Sequence, residues 1–180
     1  MLKTLVIIVI ALVVFVLLFA TTRPDTFRVE RSARIKAPAA TIFALLDDFR
    51  RWPEWSPWER LDPAMQRTLS GPARGTGAAY AWDGNKQVGQ GRMEIVGAEP
   101  PSHLVIKLDF LRPFEAHNTA EFTLTAAGDD TEVLWAMHGP MPYVSKLMSV
   151  FVSMDRMVGK DFEAGLANLK ALAESSVDTP

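Results

Sequence analysis

An unbroken apolar run opens the chain. Every residue from 5 to 20 is Ala, Val, Ile, Leu or Phe. In the wider range 2–22, the only residues of other types are Lys3 and three threonines. A helix of about 20 residues, rising about 1.5 Å per residue, matches the roughly 30 Å hydrocarbon layer of a bilayer. The run therefore predicts a membrane-spanning helix at residues 2–22 and a single-pass membrane protein.

Cleavage of this run as a secretory signal is the competing interpretation. A signal peptide usually has an apolar core of about 7 to 15 residues that ends in a small-x-small site. The run here is longer, and Leu18-Phe19-Ala20 is a weak cleavage site, so the sequence favours an uncleaved anchor over residues 1–22. Basic residues are more frequent just after the span than before it, which favours a cytoplasmic domain, although they also fit a folded strand. They are Arg23, Arg28, Arg31, Arg34 and Lys36.

Apolar and polar residues alternate after the anchor. Phe27, Val29, Ala33 and Ile35 fall on one face of an extended chain, and Arg31 is the one charged residue in that row. This period of two predicts a half-buried strand. A short amphipathic helix is predicted next, over residues 39–48.

A tryptophan-rich segment, residues 49–58, follows the short helix. It holds Trp52, Trp55 and Trp58 together with Pro53 and Pro57. The prolines deny it a continuous helix, so the large rings are presented from a stiff, kinked connection. Such a segment can form the wall or lid of an apolar pocket. Simple packing at one end of the domain is the alternative, because tryptophan brings much apolar area to any core.

The rest of the chain reads as an antiparallel meander and a long helix. Alternating segments separated by turn residues predict strands near 64–70, 77–82, 87–98, 104–110, 116–126 and 133–137. From Val144 to Leu172, apolar residues recur at steps of three and four, which predicts one amphipathic helix or two collinear pieces. The soluble domain is expected to span residues 26–175, followed by a flexible tail at 176–180.

Composition excludes several classes of function. The formal charge of -2 and a pI near 5.9 give no basic surface for nucleic acid. There is no cysteine for a disulfide, a thiolate nucleophile or a metal site, and the three histidines lack metal-ligand spacing. A Gly-x-Ser-x-Gly elbow and a phosphate-binding loop are also missing. We therefore predict no catalytic residue, no metal and no cofactor.

Three segments carry a resemblance to a known family: Phe49–Trp58, Asp109–Ala116 and Met154–Lys170. With the order of elements, they resemble the SRPBCC or START-like superfamily, and within it the polyketide cyclase/dehydrase and lipid-transport branch. The resemblance covers residues 27–174. It implies an α+β helix-grip fold, in which a curved antiparallel sheet wraps around the long C-terminal helix and leaves an apolar cavity between them. It does not decide function, because this fold hosts binders, carriers and enzymes.

Candidate cavity residues come from alternation together with the fold that the resemblance implies. Methionine and aromatic side chains suit an irregular apolar ligand, and one amide could orient a ligand carbonyl or hydroxyl, or equally satisfy a backbone group. An ordinary filled core is the alternative for each of them. The predicted ligand-binding residues are Trp52, Trp55, Trp58, Met93, Phe110, Asn118, Phe122, Trp135, Met137, Met148 and Phe151.

Three functions are consistent with these patterns. The leading one is a membrane-tethered, non-catalytic domain that binds a lipid or other small apolar molecule. A cyclase or dehydratase acting on an apolar polyketide-like substrate is the second, and rests on the resemblance alone. The third is an interaction module, in which segment 49–58 docks on another protein or on the bilayer. A related expectation is that Asp155, Gly159 and Lys160 pack against segment 49–58.

Overall fold

The computed structural model describes residues 2–177. Helix α1 comes first and is followed by seven strands, with short helices between β1 and β2 and after β7. A long C-terminal helix follows them. The helices are α1 (Leu2–Thr21), α2 (Ala39–Leu46), α3 (Tyr143–Ser149) and α4 (Met154–Val177), with 3-10 helices at Phe49–Glu54 and Pro57–Arg60. The strands are β1 (Thr26–Ile35), β2 (Gln66–Ser70), β3 (Ala79–Asp83), β4 (Gln90–Glu99), β5 (His103–Arg112), β6 (Ala116–Ala127) and β7 (Asp130–Pro140).

All seven strands form one antiparallel sheet in the order β1-β7-β6-β5-β4-β3-β2. Strands β2 to β7 follow one another as a meander. The chain crosses from β1 at one edge to β2 at the other through α2 and the two 3-10 helices. Phe27 lies opposite Gly139 and Ile35 opposite Thr131, so the start of β1 and the end of β7 lie at the same end of the sheet as the end of α1.

One face of the sheet packs against α4 and α2. Its inner rows follow the alternation in the sequence: Phe122 lies opposite Leu104 on β5 and Trp135 on β7, and Trp135 lies opposite Arg31 on β1. Phe122 is fully buried and Trp135 is 3% exposed. The predicted α+β helix-grip fold, with a curved antiparallel sheet, a long C-terminal helix and a preceding apolar helix, is confirmed.

The C-terminal helical region is two separate helices. The apolar periodicity continues from 144 to 172, but the chain leaves the helix after Ser149 and α4 starts at Met154. The Ser153 hydroxyl accepts a hydrogen bond from the Arg156 N–H at 3.2 Å, a typical way to satisfy a free donor at a helix start. At the other end α4 includes residues 176 and 177, which were expected in a flexible tail. Residues 178–180 lie outside the described residues.

Candidate ligand-binding site

Two of the three tryptophans in segment 49–58 are interior packing. Trp55 is fully buried and Trp52 is 4% exposed. Their Nε1 atoms donate hydrogen bonds to the main-chain oxygens of Leu45, at 3.3 Å, and Leu46, at 3.0 Å. These carbonyls belong to the last turn of α2, where no helical partner is available. The segment therefore folds back to close the end of α2, and only Trp58 remains half-buried at the edge of the core.

An aromatic stack fills the space between the sheet and α4. Trp135 lies parallel to Phe162, with ring centroids 4.2 Å apart and an interplanar angle of 9°, and it stacks on Phe122 at 5.0 Å. Trp55 and Trp58 meet Trp135 edge-on at 5.6 and 5.7 Å. Side chains thus occupy the space in which a cavity was expected. Alternation placed these residues on the correct face, but it could not show how closely their rings interdigitate.

Beyond the stack, towards the start of β1, the inner face of the sheet is less completely covered. Met93 and Phe110 are half-buried, whereas Asn118 and Met137 are 6% and 5% exposed. Leu108 lies opposite both Met93 and Asn118, so these three residues form one row across β4, β5 and β6. The structure therefore brings several of the predicted site residues together at this end of the sheet.

Asn118 is a polar group without a protein partner. The residue is 6% exposed, and its side chain makes no hydrogen bond to any residue in the described range 2–177. It fits because Gly139 has no side chain; a Cβ there would collide with Asn118 Oδ1. Trp135 Nε1 is buried and has no acceptor within residues 2–177. A fully buried donor without an acceptor, such as Trp135 Nε1, costs about 1–3 kcal/mol. The Asn118 amide keeps some contact with solvent, and it can bind a complementary polar group of a ligand or water.

One acid on α4, Asp161, is not among the predicted site residues, because its place beside Lys160 suggested ordinary solvated charge. Asp161 is half-buried, lacks a hydrogen-bond or ion-pair partner within residues 2–177, and has its pKa raised by burial. It lies four positions before Gly165, and therefore on the same helix face. Gly165 packs closely on Trp135 and Pro57. The carboxyl group thus lies near the edge of the aromatic stack, and the spacing from Gly165 is the signal that could have identified it.

Arg31, the charged residue in the inner row of β1, binds α4. It donates hydrogen bonds to Asp155 at 2.7 Å and to Glu163 at 2.8 Å, and these two carboxylates raise the pKa of its guanidinium. Gly159 lies between them and leaves room for the guanidinium group. Asp155 and Gly159 thus lie against the edge strand β1, whereas the expectation for them and Lys160 was packing against segment 49–58.

Met148 and Phe151 do not line the interior. Met148 is 47% exposed and Phe151 is 68% exposed. Because α3 is separate from α4, its apolar residues are not held on the α4 face that covers the sheet. Their predicted inward position is corrected by the structure.

Charged groups suited to acid–base chemistry lie mainly on the outer face. His117 Nδ1 lies 2.7 Å from Asp109 Oδ1, and this hydrogen bond raises the pKa of the exposed imidazole. His138 is 3.5 Å from Glu121 on the same outer surface. Among the described residues, no group of three or more His, Cys, Asp or Glu side chains could hold a metal ion.

Two surface depressions are well defined among residues 2–177. One, of about 270 Å³, lies beside Phe49 and residues 69–73. The other, of about 200 Å³, lies between the start of β1 and the start of α4, and its walls include Arg23, Phe27, Met141 and Met154. Both are below the roughly 300–1,000 Å³ typical of pockets for small ligands. The second depression is at the end of the sheet where Asn118 lies, because Phe27 and Asn118 flank Gly139.

Comparison with protein families agrees with this geometry. The family described as "Polyketide cyclase / dehydrase and lipid transport" matches residues 26–174. The chain belongs to this family. None of the curated proteins matches it. The SRPBCC-type resemblance carried by segments 49–58, 109–116 and 154–170 is thereby confirmed.

Solved structures share the fold at low sequence identity. The di-domain ARO/CYC StfQ from the steffimycin biosynthetic pathway is 14% identical, with a TM-score of 0.65, and the match covers 86% of this chain and 53% of that one. Protein Ms6760 from Mycobacterium smegmatis is 18% identical, with a TM-score of 0.58, covering 84% and 94%. Major latex-like protein 151 from Panax ginseng is 15% identical, with a TM-score of 0.55, covering 83% and 99%. At these identities the likeness shows the fold alone.

Proposed function

We propose that this protein is a membrane-anchored domain that binds a lipid or another small, mainly apolar molecule and does not catalyse a reaction on it. The family and its ligand-binding fold supply the general setting. The observation that carries the proposal is the Asn118 amide on the inner face of the sheet: the residue is 6% exposed, and its side chain has no hydrogen-bond partner within residues 2–177. A ligand with an apolar body and one polar group would satisfy it.

The ligand is proposed to bind at the less covered end of the inner face. Met93 and Phe110 are half-buried there and supply apolar contact area, Trp58 at the edge of the aromatic stack adds to it, and Asn118 fixes the polar group. The structure has a closed core, so binding requires Trp58 and the start of α4 to move away from the sheet. The 200 Å³ depression next to Phe27 is the proposed point of entry.

Anchoring in the bilayer is the second part of the proposal. Helix α1 is long and apolar enough to cross a membrane, with only 6% of its most apolar window buried. Residues 22–25 join it to β1, and four residues span at most about 14 Å. The domain would therefore stay near the headgroups. We place it on the cytoplasmic side, and a reporter fused to the C-terminus that is active only outside the cytoplasm would contradict that orientation.

Native mass spectrometry of the full chain, released from detergent micelles, tests ligand binding. Palmitate and phosphatidylglycerol are suitable probes, because each joins an apolar body to a hydrogen-bonding head. We expect one-to-one adducts, and Asn118→Leu should weaken palmitate binding about tenfold or more, since a hydrogen bond to a charged group contributes about 1.5–3 kcal/mol. Thr123→Val, a polar-to-apolar change on the exposed face of β6, is the matched control. Absence of stoichiometric adducts with either probe would contradict the proposal.

A cyclase or dehydratase acting on an apolar polyketide-like substrate is the alternative, and Asp161 is the observation that favours it. A half-buried carboxyl with a raised pKa can exchange a proton near neutral pH more readily than a solvated one. Asp161→Asn would abolish turnover of such a substrate if this alternative holds, and would leave ligand binding intact. Docking through Trp52 and Trp55, the third possibility, is not favoured because both rings are buried.

A further inference from the structure

Helix α3 and the three residues after it present an exposed apolar face. Val144 is 63% exposed, Met148 47% and Phe151 68%. Their spacing of four and three residues places them on one side of a helix. We call this set the α3 face. An exposed apolar stripe of this kind, rather than scattered single residues, marks a contact surface.

The polar side of α3 is turned towards the protein, which is the reverse of a helix on a water-soluble domain. Lys146, whose side chain is 12% exposed, bonds to Asp25 at 2.5 Å. Ser149 accepts a hydrogen bond from Arg23 at 3.3 Å. Thus the hydrophilic side chains hold α3 to the linker after α1, and the apolar ones face outwards. This polarity suits a helix whose outer surroundings are lipid.

The position of α3 identifies those surroundings. Tyr143 Oη donates a hydrogen bond to the main-chain oxygen of Leu17 at 3.0 Å. Leu17 lies four residues before the end of α1, or about 6 Å along its axis. Ala20, on the same side of α1, is fully buried. Helix α3 therefore packs against the last turns of the apolar helix, and a second protein is not needed to cover its outer face.

We propose that the α3 face inserts into the bilayer leaflet nearest the domain, where the C-terminal end of α1 lies. It would be a second membrane contact of the same domain. This inference rests on the proposed anchoring by α1, and is independent of ligand binding. A span alone would let the domain rotate about the linker, whereas two adjacent contacts fix its orientation. The end of the sheet that carries Phe27 and Asn118 then faces the membrane.

Fluorescence quenching tests the insertion depth, and the absence of native cysteine makes single labelling sites simple to build. The full chain, reconstituted in phosphatidylcholine–phosphatidylglycerol vesicles, would carry an NBD label at Met148→Cys or Phe151→Cys. Leu69→Cys on β2 is the matched control, since Leu69 is a similarly exposed apolar residue, 49% exposed, on the far edge strand. Val9→Cys, in the middle of α1, reports anchoring itself.

The expected result is blue-shifted emission at Met148 and Phe151, and quenching by doxyl lipids at least threefold stronger than at Leu69. The insertion would be overturned if the label at Val9 is quenched but the labels at Met148 and Phe151 are quenched no more than the label at Leu69. That result would leave the anchor in place. Loss of quenching at Val9 as well would overturn both the anchor and the insertion. Two labelled positions are used because one substitution could by itself disturb α3.

Discussion

Removing Phe162 tests whether the interior is as closely packed as the aromatic stack indicates. Phe162 is 1% exposed and lies 4.2 Å from the Trp135 ring centroid, with Trp58 meeting it edge-on at 6.2 Å. Truncating a buried phenylalanine to alanine costs about 3–5 kcal/mol, which includes the cavity that remains. In a domain of this size, each 1 kcal/mol lowers Tm by about 2–4 °C. Phe162→Ala should therefore lower Tm by about 6–20 °C.

Tryptophan fluorescence of the full chain in mild detergent follows this transition, because Trp58 and Trp135 flank the altered position. Met157→Ala is the control: Met157 is on the same helix but 53% exposed, and surface changes usually stay within about 0.5 kcal/mol. Benzene should bind the space left by Phe162→Ala and raise the Tm of that variant alone. If Phe162→Ala and Met157→Ala shift Tm equally, the packed interior described above is refuted.

Four further predictions concern polar and charged side chains. Arg31→Gln should lower Tm by removing its bonds to two carboxylates of α4, and the loss should shrink in high salt, as scanning calorimetry at two ionic strengths would show. Tyr80→Phe should cost about 1.5–3 kcal/mol in urea unfolding, because Tyr80 Oη donates to the nearly buried Glu59 carboxylate at 2.6 Å; no measurable loss would contradict this. Burial raises the pKa of Asp47, so the fold loses stability as the pH rises and this carboxyl ionises; Asp47→Asn should therefore gain stability relative to the wild type as the pH is raised above the ordinary aspartate pKa of about 3.9. The neighbouring Asp48→Asn should do the opposite, because the Arg50 hydrogen bond lowers the pKa of Asp48 and its ionised form stabilises the fold above its ordinary pKa.

Alternation and turn residues were enough to predict the sheet, because a strand with one buried face has a period of two whatever lies against it. They could not predict how much space remains inside. Trp82 illustrates the reason. Gly91 has no side chain and would be expected to leave space on the inner face of β4, but the ring of Trp82 on β3 fills that space. Whether a cavity exists depends on side-chain rotamers across several elements, and no local pattern records them.

The tryptophan-rich segment has a role that its sequence pattern did not predict. The size of the Trp52 and Trp55 rings predicted a pocket wall or lid, whereas in the structure their Nε1 atoms donate hydrogen bonds to the last carbonyls of α2. That need follows from the geometry of any helix end. A short helix followed by tryptophans could therefore have suggested capping as well as pocket closure.

The misplacement of Met148 and Phe151 has a physical cause with a consequence for function. An apolar stripe at helical spacing has the same sequence pattern whether its helix covers a protein core or lies on lipid. What separates the two cases is the partner of the polar side, and here Lys146 and Ser149 bind the linker after α1. If the apolar side meets the bilayer, the least covered end of the sheet, with Asn118, is also the end closest to the lipid. An apolar ligand could then pass between membrane and domain without crossing water, which links the proposed anchor to the proposed site.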